Sequence, residues 1–214
     1  IAEEDSSLIE KIRLIPNAIE TAAWRKEALL ENRAQFRRQE FGIQGGEKII
    51  LSVAELHERK GQKYLIEAFR TLREKFPDVK LVLVGEGPAA HEYKKRSIDL
   101  GNSVLFLGHR KDIAKLMAAA DIFVLSSIRE AFGLVLLEAG TLGLPVIASN
   151  VGGVQDIVEN GKSGVLVASA SATELEDALK KILENPEKGH LMGRHLLERV
   201  DMVFDAKKMA EKTA

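Results

Sequence analysis

From Glu47 onward, short apolar runs alternate with longer amphipathic ones, and this alternation constrains the fold more than any other feature of the 214-residue chain. The apolar runs are "KIILSVA", "VKLVLVG", "NSVLFLG", "DIFVLSS", "LPVIAS" and "GVLVA". Between them lie "GQKYLIEAFRTLREKFP", "PAAHEYKKRSIDLG", "KDIAKLMAAA", "FGLVLLEAGTLG" and the shorter "VQDIVENG", all read as helices. "SATELEDALKKILENP" and further helix close the chain. Pro77 stops the first helix, Pro88 sits in the first turn of the second, and Ser171 or Thr173 caps the last. Strands alternating with helices make βαβ units. Strands of near-continuous apolar character belong in a parallel sheet covered on both faces. The expected fold is therefore α/β, a doubly wound parallel sheet.

Residues 1–44 break this pattern. "IRLIPNAIE", from Ile12 to Glu20, is a strand-like run ended by a Pro-Asn turn, and "WRKEALLENRAQFRRQEFGI" reads as one charged helix closing at Gly42. The expected division is a linker and lead-in segment at 1–44, a ligand-binding domain at 45–200 and a closing helix at 201–214. A net charge of −1 gives no electrostatic case for nucleic acid or an acidic membrane surface. No apolar run is long enough to cross a membrane. The absence of cysteine excludes disulfides, thiolate nucleophiles and zinc–cysteine sites, and fits a reducing compartment.

In doubly wound sheets, ligands bind beyond the carboxyl ends of the strands. The loop after the fourth strand, "SSIREAFG", runs straight into a helix starting near Gly133. A helix N-terminus presents free N–H groups and partial positive charge, and glycine allows close backbone approach, so Gly133 and Leu134 can receive a diphosphate. Glu130 and Glu138 flank that terminus with seven residues between them. Carboxylates so placed can accept hydrogen bonds from hydroxyls at opposite ends of a sugar-bearing ligand. The alternative is that Glu130 caps the helix and Glu138 pairs with a basic neighbour. For Glu138 that is the weaker reading, because its helix is crowded with Leu134, Val135, Leu137 and Ala139.

Other loops carry weaker signals. Lys60, in "AELHERKG", can reach a phosphate as a point charge or can be an ordinary surface lysine. "GEGPAA" places Gly85 and Gly87 in a GxGxxA pattern that would suit a nicotinamide-dependent dehydrogenase. The acidic ribose ligand expected about 20 residues on is missing, so a tight turn is the better reading. "NGKSG" lacks the first glycine of a P-loop and leads into a strand. The five histidines show no metal-ligand spacing, and there is no D-x-D pair for a divalent ion. A diphosphate would then be met by Lys60, by Arg59 or Arg110, and by backbone dipoles.

These residues carry a resemblance. "SSIREAFGLVLLEAGTLGLPVIASNVGGVQDIVENGKSGVLV" resembles the signature of the GT-B retaining glycosyltransferases of family 4 type, the glycosyl transferases group 1, whose hallmark is the E-x7-E pair. "IPNAIE", "KGQKYLIEAF", "LVLVGEGP", "FLGHRKDIAKLMAAADIFVLSS" and "FDAKKMAEKT" match in the same order. The resemblance implies the Rossmann-like C-terminal half of a GT-B fold, which binds the nucleotide-sugar donor, with the N-terminal acceptor-binding domain lying outside this chain. It further implies that Glu138 binds the ribose hydroxyls and Glu130 the donor sugar. Phe132, Gly133 and Leu134 would offer backbone groups to the diphosphate and sugar. Lys60 would neutralise the diphosphate, the Arg110 backbone would line the base pocket, and Lys60 and Glu130 would be the catalytic pair. The implied reaction moves a sugar from a nucleotide diphosphate sugar to a hydroxyl acceptor with retained configuration and no metal or other cofactor. UDP-sugars are favoured over GDP-sugars. The implied setting is cytoplasmic, reaching the inner membrane through the acceptor domain. Glu55 departs from the usual family pattern, which has arginine there. That leaves open a second reading, a degenerate or partner-dependent nucleotide-sugar-binding module without activity of its own.

Overall fold

The computed structural model describes residues 17–43 and 45–213, side chains from 212 on excepted. The strand-like run from Ile12 lies largely outside them. Among the described residues there are six strands: β1 Lys48–Val53, β2 Val79–Val84, β3 Val104–Phe106, β4 Ile122–Leu125, β5 Val146–Ser149 and β6 Val165–Val167. The helices are α1 Thr21–Glu27, α2 Arg33–Phe41, α3 Gln62–Lys75, α4 Ala90–Arg96, α5 Ile113–Ala119, α6 Leu134–Thr141, α7 Val154–Ile157, α8 Ala172–Glu184, α9 Pro186–Arg199 and α10 Ala206–Thr213. All strand pairs are parallel and the order is β3-β2-β1-β4-β5-β6.

Alternation along the strands divides the core in two. Ile49, Leu51, Phe123, Leu125, Val146 and Ala148 face one layer, packed with side chains of α2, α5, α6, α7 and α9. Ile50, Leu81, Leu83, Ile122, Val124 and Ile147 face the other, packed with α3, α4 and α8. The crossover from β1 thus runs through α3 on one face, and the crossover from β4 through α6 on the opposite face. β1 and β4 are neighbours, so the loops that leave them diverge and open a crevice, the topological switch point where such sheets bind ligands.

Several helices differ from their sequence reading. Residues 24–43 form two helices rather than one. The chain leaves the helix after Glu27, and Asn32 restarts it by accepting the Gln35 N–H at 3.0 Å. The run 88–101 also divides: α4 ends at Arg96, and a 3₁₀ stretch, Ile98–Ser103, passes through Gly101 at φ 51°. That leaves β3 only three residues. Between α9 and α10 the helix widens into a π turn, Val200–Phe204.

Candidate functional site

A cleft of about 350 Å³ lies at the switch point. Its walls include Val53, Ala54, Glu55 and Lys60 from the β1 side, and Glu130 to Val135 from the β4 side. Two loops therefore make the site, and they are sewn together. The Ile128 and Arg129 N–H groups donate to the Arg59 carbonyl at 2.7 and 3.2 Å, and Ser126 Oγ donates to the Lys60 carbonyl at 3.0 Å.

Lys60 ends a 3₁₀ turn, Glu58–Lys60, and its Nζ donates to Glu130 Oε2 at 2.7 Å. The buried Ser127 hydroxyl donates to the same oxygen at 3.1 Å. Both charged side chains are mostly buried, at 19% and 14% exposure, which fixes them relative to one another. An ammonium has three donors, so Lys60 keeps two for a ligand while holding Glu130. Gly133 N-caps α6 in left-handed backbone, φ 93°, and among the described residues no side chain caps the helix. A Cβ at Gly133 would meet Leu136 at 3.2 Å and Leu125 at 3.4 Å besides carrying the strain of that φ. The positive end of α6 and the Lys60 ammonium thus face one cleft, an arrangement that attracts an anion. Leu134, half exposed, forms the rim.

Glu138 lies one turn further along α6, outside the cleft's lining. It is half-buried, and among the described residues nothing donates a hydrogen bond to its carboxylate or pairs with it. Burial alone raises its pKa above the ordinary carboxylate value. Pairing with a basic neighbour, the alternative raised by the sequence, is therefore not what the structure has. A partly buried carboxylate without an internal partner suits a ligand's hydroxyls.

The remaining candidates are placed otherwise. Arg59 forms an ion pair with Glu55 at 2.6 Å, so the acidic residue in the cleft wall is balanced by the arginine that the sequence offered to the diphosphate. Arg110 is held by Asp112 and Glu40 at 2.6 and 2.7 Å, and it does not line the cleft. Gly85, at φ 134°, sits against the β1 loop, where a Cβ would lie 2.0 Å from the Ala54 carbonyl oxygen. That is the close packing of a turn, and it leaves the GxGxxA pattern a structural explanation.

Three contributors escaped the sequence. Asn17 lines the cleft from the leading segment. Ser127 orients Glu130, and only its place after an apolar strand hinted at it. Gly152 supports the β4 loop from behind: a Cβ there would lie 1.8 Å from the Glu130 carbonyl oxygen, and the neighbouring Gly153 N–H donates to the Ala131 carbonyl at 3.0 Å. Among the described residues no three His, Cys, Asp or Glu side chains gather as metal ligands would.

Comparison with known proteins gives the family and the fold. Residues 33–196 match the family described as Glycosyl transferases group 1. N-acetyl-alpha-D-glucosaminyl L-malate synthase of Bacillus anthracis is 31% identical over 86% of this chain and 50% of its own length. HepE of Anabaena, solved in complex with UDP and glucose, superposes with a TM-score of 0.85 at 27% identity, over 94% of this chain and 55% of that one. The C-terminal domain of a glycosyl transferase group 1 family protein, LpcC from Francisella tularensis, superposes with a TM-score of 0.75 at 25% identity, over 88% of this chain and 99% of that domain. The chain thus spans about half the length of the curated relatives it matches.

Proposed function

The chain belongs to the glycosyl transferases group 1 family, and from that premise we propose that it is the donor-binding, C-terminal half of an enzyme that transfers a sugar from a nucleotide diphosphate sugar to a hydroxyl acceptor. The observation that carries the reading is the convergence of the Lys60 ammonium and the N-terminus of α6 on the switch-point cleft, with the unpartnered Glu138 carboxylate one turn further along that helix, outside the cleft's lining. The diphosphate lies across the N–H groups of Gly133 and Leu134 and against Lys60. The ribose hydroxyls donate to Glu138, and the sugar hydroxyls to Glu130.

In the reaction the bond between the anomeric carbon and the diphosphate oxygen breaks, and its electron pair leaves with the diphosphate. The acceptor oxygen bonds to the same carbon on the same face, retaining configuration, and its proton passes to the departing diphosphate. Lys60 and the helix dipole stabilise the charge that develops, an effect worth about 3–4 kcal/mol for a well-placed donor. With that positive charge supplied by the chain itself, the proposed reaction proceeds without a metal. UDP-sugars are the preferred donors, a choice supported by the UDP bound in the HepE structure. The acceptor is bound by a second, N-terminal domain, so this chain alone binds donor but barely turns it over. The cell compartment we propose is the cytoplasm.

A thermal-shift panel of UDP-, GDP- and ADP-sugars tests the reading. A ligand at about 100 times its Kd stabilises by about 2.7 kcal/mol, and UDP-sugars are expected to give the largest rise in Tm. No rise with any of them would reject the donor-site assignment. Sugar transfer at full-length rates by this chain alone would reject the need for an acceptor domain.

A further inference from the structure

We propose that Phe204 is a positioning residue for the donor site, acting through Phe132. The inference rests on the donor-site reading of the cleft. Phe132 lies in the loop that carries Glu130 and leads into α6, and it packs against two neighbours. A Cβ at Gly153 would come within 3.1 Å of its ring. The Phe204 ring meets it edge-on, centroids 6.0 Å apart at 68°.

Phe204 is itself fixed from several directions. It is 2% exposed, and the Arg199 guanidinium lies 5.9 Å from its ring centroid. It ends the π turn, a winding found frequently at functional sites. The turn keeps Val200 and Phe204 buried while Met202 and Val203 are 60% and 42% exposed. Its backbone carbonyl accepts the Ile19 N–H at 2.9 Å, the Ala206 N–H donates back to Ile19 at 3.0 Å, and Thr21 Oγ1 donates to Asp205 at 2.6 Å. Two residues before Ile19, Asn17 lines the cleft directly. The leading and closing segments are thus tied together where one touches the ligand cleft and the other touches the loop that receives the diphosphate. A shift of this tied crossing moves Phe204, and Phe204 moves Phe132 and the N–H groups of Gly133 and Leu134. An aliphatic side chain of similar bulk would fill the same space but would not reproduce the edge-on ring contact.

The test compares Phe204→Leu with Val200→Ala. Leucine at the first position keeps apolar bulk but loses the ring edge. Val200 is as buried and in the same turn, but it packs against Gly140 near the far end of α6. UDP affinity is measured by calorimetry, and amide hydrogen exchange at Ala131 to Leu134 is measured without ligand. Phe204→Leu is expected to weaken UDP roughly three- to tenfold, the range set by the worth of an aromatic pair, and to speed exchange at those amides. Val200→Ala is expected to lower Tm and change neither. Wild-type affinity and exchange in Phe204→Leu would overturn the proposal, as would equal changes in both variants. If no variant binds UDP, the donor-site reading fails, and the exchange comparison alone decides whether Phe204 positions the loop.

Discussion

Replacing Lys60 by Met removes the 2.7 Å contact with Glu130 and leaves the Ser127 hydroxyl, at 3.1 Å, as the carboxylate's remaining partner. At 19% and 14% exposure the pair lies between two regimes. Exposed pairs contribute about 0–1 kcal/mol, whereas removing one member of a fully buried pair costs about 3–5 kcal/mol. Met preserves the packing of the alkyl stem, so the stranded charge dominates, and a loss of about 2 kcal/mol is expected. With a urea dependence of about 2–3 kcal/mol/M for a chain of this size, the unfolding midpoint falls by about 0.7–1 M. A double-mutant cycle of Lys60→Met with Glu130→Gln isolates the pair itself, with an expected coupling of about 1–2 kcal/mol. That coupling should survive about 1 M salt, because buried pairs are screened little. The Arg59–Glu55 pair, 56% and 44% exposed, is the internal control; its coupling should stay under about 1 kcal/mol and fade with salt. If the Lys60–Glu130 coupling is no larger or no more salt-resistant than the control, Lys60 is not held in place by Glu130, and the preorganised cation on which the donor site depends is absent.

Glu138→Gln should stabilise the unliganded protein at pH 7. A carboxyl whose folded pKa is raised binds its proton more tightly in the folded state, so it lowers stability as pH rises through that range; the gain from Gln therefore disappears below about pH 4, where the carboxyl is protonated in both states. Thermal unfolding across a range of about pH 3.5–8 checks this, and a gain that persists at the acid end would contradict it. Gly152→Ala should cost stability and displace the β4 loop, since its Cβ would lie 1.8 Å from the Glu130 carbonyl oxygen at a φ of 54°; unchanged UDP affinity in that variant would show the loop to be unsupported from this side. Glu55→Gln removes a negative charge from the cleft wall and frees Arg59, so UDP should bind roughly two- to fivefold tighter at low salt, with the gain shrinking as salt is added. Equal affinity at all salt concentrations would mean that Glu55 does not influence the anion.

The sheet was legible in the sequence because burial on both faces writes itself as apolar runs: Ile49–Ile50–Leu51 and Phe123–Val124–Leu125 supply both layers at once. The start of α6 was legible too, because Gly133 before an apolar helix is a local signal. What escaped depends on long-range contact. The Ser127 hydroxyl matters only because the β1 loop carries Lys60 to the other side of Glu130. Asn17 reaches the cleft only because Ile19 pairs with Asp205, 186 positions later by the chain numbering. The break after Glu27 is hidden by a composition that stays charged and helix-compatible throughout, with Asn32 as the one marker. The π turn at Val200–Phe204 leaves no periodicity of its own, since a single widened turn is set by packing on Phe132 and α6. The arginines illustrate the same limit: a count of nearby cations cannot say that Arg59 is taken by Glu55 and Arg110 by Glu40 and Asp112.

The N-terminus of α6, Lys60 and Glu138 together make the proposed nucleotide diphosphate site. Calorimetric titration of UDP onto the wild-type chain and onto Glu138→Ala tests it most directly. Saturable binding by the wild type and a loss of about tenfold or more in the variant are expected, since hydrogen bonds from ribose hydroxyls to a charged acceptor contribute about 1.5–3 kcal/mol. No heat at millimolar UDP, or the same affinity with and without the Glu138 carboxylate, would contradict it.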